Sequence, residues 1–110
     1  MTIKHRGGRR VSVGQLIMQV HGASAAGPFY GVLGNLSAQG CFILSYARLA
    51  RNEVVDGRVL LPTERWLDFR GGVAHYTEGV GFGIRFLGLT DEERAMIELV
   101  VDYALNLSFN

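Results

Sequence analysis

Apolar residues recur at every second position through most of the chain, the spacing of strands with one buried face, and only the C-terminal segment changes to a helical period. Val11, Val13, Leu16, Met18 and Val20 alternate in two registers that break near Gly14, which predicts a strand bulged at the glycine. Residues 22–28 (GASAAGP) are a small-residue turn, and 29–34 form a second strand that is apolar on both faces. Residues 35–40 make a further turn, 41–44 a third strand and 45–52 a linker. A fourth strand over 54–61 ends at Pro62, which lacks the N–H that a ladder requires. Residues 66–69 and 73–76 are two extended pieces, with a bend or bulge expected at Gly71 and Gly72. Gly81–Leu87 is the last strand, with Phe82, Ile84 and Phe86 on one face. Strands this short, spaced by turns every 8–12 residues or so, indicate a closed barrel or a sandwich.

Residues 90–107 carry the helical pattern. Thr90 and Glu93 form a capping box, and Asp91, Glu92 and Glu93 place negative charge where the helix dipole favours it. Met96, Val100, Tyr103 and Leu107 share one stripe, with Ile97, Val101 and Ala104 beside it. Such a helix is expected to pack across the barrel; the other reading is a dimer-forming helix.

Composition narrows the class. With 48% hydrophobic and 19% charged residues the chain is globular, and 110 residues fit a single domain. Residues 1–10 (MTIKHRGGRR) have no hydrophobic period and contain Gly7 and Gly8, so they are expected to form a flexible basic arm before a domain over 11–110. Cys41 is the single cysteine, which excludes an intrachain disulfide. No apolar run approaches the roughly 18 residues of a membrane span, and no apolar signal-peptide core follows the basic N-terminus. The expectation is a cytoplasmic protein without membrane insertion.

A net charge of +1 conceals an asymmetry. Residues 1–52 hold six cations and no acid, whereas residues 53–110 hold ten acids against five arginines. The positive potential is concentrated in residues 4–10, which suits a small anion better than a nucleic-acid polymer.

Catalysis finds little support. His5, His21 and His75 lack metal-ligand spacing to one another or to Cys41, and Cys41 lies in an apolar strand where a thiol is a small core residue. The alternating glycines 79, 81 and 83 precede no helix N-terminus that would make a phosphate loop. No nucleophile–base pair and no paired carboxylates stand out, so an enzyme and a bound cofactor or metal are not expected. Anion binding fares better. Arg6, Arg9 and Arg10 offer planar forks that bond phosphate or a guanine edge. In Asn35-Leu-Ser37-Ala-Gln-Gly40, Asn and Ser carry donors and acceptors, and glycine permits a sharp turn and a close approach.

Arg6-x-x-x-Arg10 followed by Asn35-x-Ser37-x-x-Gly40 resembles the two-part motif of PilZ domains, RxxxR and then (Asp or Asn)-x-Ser-x-x-Gly. Val11-Ser-Val13 is similar to that family's first strand, Gly79 to Leu87 to its last, and Thr90-Asp-Glu-Glu-Arg94 to the opening of its helix. The resemblance covers roughly residues 5–105. It implies an all-β fold, a six-stranded antiparallel barrel with a C-terminal α-helix, that binds cyclic di-GMP on its outer surface. Arg6 and Arg10 would contact phosphates and guanine faces, Asn35 and Ser37 a guanine edge or phosphate, and Gly40 would keep the surface open. Arg9 is a further candidate contact, and His75 falls where the family places a planar side chain against a base. Asn35 departs from the commoner Asp, keeping the acceptor oxygen without the charge. The function so implied is a single-domain receptor, a monomer or weak dimer, that relays the second messenger to an unidentified protein effector in motility, biofilm or exopolysaccharide control. Two alternatives remain: a PilZ-like adaptor that binds protein alone, and a small barrel for RNA or single-stranded DNA, which needs exposed aromatics among basic residues on one sheet face.

Overall fold

A computed structural model describes residues 9–108. The expected arm, apart from Arg9 and Arg10, and the candidate contact Arg6 lie outside the described residues. The elements are β1 (Val11–Ser12), a 3₁₀ turn (Gly14–Leu16), β2 (Gln19–Ser24), β3 (Gly27–Leu36), β4 (Gly40–Leu44), β5 (Val54–Leu60), β6 (Trp66–Thr77), β7 (Gly81–Leu87) and α1 (Asp91–Ser108).

The strands β3-β2-β5-β6-β7-β4 pair in that order, every pair antiparallel, and β4 pairs back onto β3. These six strands thus close into a barrel. β1 adds two residues alongside the end of β3. There Ser12 faces Asn35, while Gln19 at the start of β2 faces Val32. The chain between these pairs is longer than the strand it follows, and the excess loops out as the 3₁₀ turn. Val13 N bonds Gly34 O at 3.0 Å on one side of this excursion, and Leu33 N bonds Met18 O at 3.0 Å on the other. The bulge predicted near Gly14 is therefore a whole turn, closed by Ile17 at φ 49°.

Two further expectations change. The turn over 22–28 shrinks to Ala25 and Ala26 between β2 and β3, because Gly22 to Ser24 pair with Phe29 to Gly27. β6 is a single strand rather than two pieces. Its irregularity falls between Val73 and His75, and Gly71 and Gly72 sit in regular pairing with Phe86 and Arg85. At Gly71 a side chain would meet Ile84 Cγ2 at 2.2 Å, so the glycine allows close packing and not a bend.

Inward positions alternate along each strand and fill the barrel. Val13, Val20, Ile43 and Phe82 are fully buried, and Phe29 meets Phe82 edge to face at 5.3 Å. The cavity inside the barrel lined by Leu33, Leu36, Cys41, Leu67, Phe69 and Ile97, among others, holds only ≈10 Å³, about the limit for one water. A ligand must bind outside. Helix α1 begins as its capping box requires: Thr90 N bonds Glu93 Oε1 at 2.9 Å and Glu93 N bonds Thr90 Oγ1 at 3.0 Å. It joins the core through Ile97, Val100, Val101 and Ala104. The buried stripe is rotated from the one expected, and Tyr103 is half exposed. Ala104 is buried where the helix meets the core.

Candidate ligand-binding site

Arg10 immediately precedes β1, and pairing of β1 with the end of β3 brings it to the second motif. Its Nη1 donates to Asn35 Oδ1 at 3.2 Å. Asn35 belongs to β3 rather than to the turn, and a register shift between Leu33 and Asn35 marks the strand end. The neutral amide supplies the acceptor that an aspartate would supply, without its charge.

Ser37 lies buried within the turn. The residue is 2% exposed, and its Oγ accepts from the amides of Gln39 and Gly40 at 3.3 Å each. Ser37 N bonds Gly40 O at 2.8 Å. The hydroxyl closes the turn from within and does not present itself at the surface. Gly40 likewise has a structural reason. A Cβ there would stand 2.0 Å from the carbonyl oxygen of Ile84, and Phe86 N bonds Gln39 O at 2.8 Å. Glycine is required because β4 and the turn lie tight against β7, not because the backbone is left-handed.

A surface pocket of ≈520 Å³ opens beside this turn, between β4, β6, β7 and the start of α1. Arg10, Gly40 and His75 line it, so it unites three of the expected residues. His75 is stacked on Phe42, with ring centroids 5.7 Å apart and 26° between planes. Gly83 pairs with both residues, and any Cβ there would stand 2.3 Å from the His75 ring. The glycine leaves the imidazole flat against the barrel, as an exposed planar surface. Arg9 is not among the lining residues; its Nη2 is paired to Asp102 of α1 at 2.6 Å.

Arg85, Arg94 and Gln39 also line the pocket, and among the described residues no carboxylate does. These residues were missed. The alternation of β7 already turned Arg85 away from the core, but its position beside Gly40 follows from the β4–β7 register, which no local pattern reveals. Cys41, at the pocket floor, has its thiol pushed up from 9.0 to about 12 by burial, with the Arg10 charge opposing. It stays a neutral thiol at physiological pH and is no nucleophile. Among the described residues no group of three or more His, Cys, Asp or Glu is placed to hold a metal, and no helix is long and apolar enough to cross a membrane.

These features define a small closed barrel with a cationic, carboxylate-free pocket on its outer wall. The PilZ domain family model matches residues 6–102, and the chain belongs to that family. A comparison with curated protein sequences gives no match. Among solved structures, YcgR from Escherichia coli in complex with c-di-GMP superposes with a TM-score of 0.78 at 14% identity, over 91% of this chain and 46% of that one. This chain therefore spans less than half of that protein's length. The PilZ domain of CeSA from a cellulose-synthesizing bacterium gives 0.63 at 20% identity, over 92% and 99%. The Bacillus subtilis inhibitor of motility MotI/DgrA gives 0.75 at 16% identity, over 94% and 53%. At these identities the likeness is one of fold.

Proposed function

We propose that this chain is a receptor for cyclic di-GMP that relays the signal to a protein partner in motility, biofilm or exopolysaccharide control. The observation that carries the proposal is the Arg10–Asn35 hydrogen bond at 3.2 Å. It joins two motifs 25 residues apart beside a pocket that Arg10 lines, whose lining among the described residues includes arginines and no carboxylate. Cyclic di-GMP is a planar-faced dianion, and the pocket offers both complements: guanidinium forks for phosphate and guanine edges, and a flat imidazole for a base. PilZ relatives solved with c-di-GMP support the same reading.

In this reading Arg6 and Arg10 grip phosphate and guanine, Asn35 orients Arg10, and His75 stacks against a base. Ser37 and Gly40 act by shaping the turn. Arg9, held on Asp102, is left out of the contact set. Calorimetric titration with cyclic di-GMP tests the proposal. Arg10→Ala should weaken binding ten- to a hundred-fold, the equivalent of about 1.5–3 kcal/mol for charge-assisted bonds. Absence of binding to the unaltered protein at high ligand concentration would instead favour an adaptor that binds protein alone.

A further inference from the structure

The arginines of this barrel divide by partner. Arg9, Arg48 and Arg70 each have a carboxylate within 4.0 Å, Asp102, Glu78 and Asp56 respectively. Arg58 lies over the Trp66 ring at 4.7 Å. The three that line the outer pocket, Arg10, Arg85 and Arg94, have no carboxylate partner within that distance among the described residues. Arg51 and Arg65 share that condition, but neither lines the pocket.

Only Arg10 belongs to the motif. Arg85 sits on the outer face of β7, directly opposite Gly40, and its neighbours Ile84 and Phe86 point the other way. Gly88, at φ 67°, turns the chain from β7 into α1 and lines the pocket too. The first turn of α1 thereby carries Arg94 back to the same wall. A cation in a helix's first turn is unfavourable to the dipole, and the acids beside it, Asp91, Glu92 and Glu93, do not line the pocket. Like charges gathered around one opening raise its potential, and an anion relieves their repulsion.

We infer that Arg85 and Arg94 form an anion subsite of their own on the β7–α1 wall, which receives a phosphodiester group of the bound dinucleotide. Two guanidinium forks offer bidentate bonds to the non-bridging oxygens of one phosphate. The subsite rests on the reading of this pocket as the cyclic di-GMP site, and it makes the wall formed by β7 and α1 part of the ligand contact.

Calorimetry with cyclic di-GMP at two salt concentrations tests it on the unaltered protein, an Arg85→Gln/Arg94→Gln variant and an Arg51→Gln control. The double variant should bind roughly ten-fold more weakly or worse, with a shallower dependence on salt, and the control should match the parent. A double variant with the parent's affinity and salt dependence overturns the subsite and leaves the receptor reading intact. If the parent itself fails to bind cyclic di-GMP, the receptor reading falls, and amide chemical shifts on titration with pyrophosphate decide the subsite separately. Shifts at Arg85 and Arg94 that vanish in the double variant sustain it; no pyrophosphate response overturns it.

Discussion

Cys41 shows how a single residue of the site is tuned by its surroundings. Its thiol is buried beneath the pocket, and desolvation raises its ionisation from 9.0 to about 12 against the opposing charge of Arg10. Between those values the native protein keeps a proton that the unfolded chain has lost. Stability from this group is therefore complete below about pH 9 and falls as pH rises toward 12, by about 1.4 kcal/mol for each pH unit. Urea denaturation at pH 8, 9.5 and 10.5 should show this decline in the parent and a flatter profile in Cys41→Ala. Parallel profiles would place the thiol in water. Of the residues around it, Arg10 and Asn35 belong to two motifs whose order was visible in the sequence, and the fold brings their side chains together at 3.2 Å. The turn around Ser37 was expected, and the fold shows that its hydroxyl accepts from the amides of Gln39 and Gly40.

At the scale of elements, the turn over 37–40 and strand β7 act as one unit. Phe86 N bonds Gln39 O at 2.8 Å, and a Cβ on Gly40 would strike the Ile84 carbonyl at 2.0 Å. Gly40→Ala must push two backbones apart, which costs about 1–3 kcal/mol as overpacking does elsewhere. Thermal unfolding should show a midpoint several degrees lower. An unchanged midpoint would mean that β4 and β7 are not held as closely as described. Strand β7 was readable because alternation is local: the last strand was expected at Gly81–Leu87 and is found there. The stretch over 11–20 and the glycines 71 and 72 were not. The first hides a turn inside a strand-like pattern, and Gly71 lies in close contact with Ile84 on a neighbouring strand, which only the tertiary register specifies.

The whole molecule has two unlike faces. The β4–β7 wall and the start of α1 carry the arginine-lined pocket. Across the barrel, β2, β5 and their neighbours carry His21, Tyr30 and Trp66 in ring contact at 5.0–5.1 Å, with Arg58 covering the indole. Those aromatics are exposed to varying degrees, unlike Phe82, which was correctly assigned to the core. Arg58 lies over one face of the Trp66 ring at 4.7 Å. The filled interior, with its ≈10 Å³ cavity, leaves the outer wall as the place for any bound molecule of that size. The most direct test is an amide chemical-shift titration of the full chain with cyclic di-GMP. The account predicts saturable shifts at Arg10, residues 38–41, His75 and residues 83–86, with Tyr30, Arg58 and Trp66 unmoved. Shifts concentrated on the Tyr30–Arg58–Trp66 face, or none at all, would contradict it.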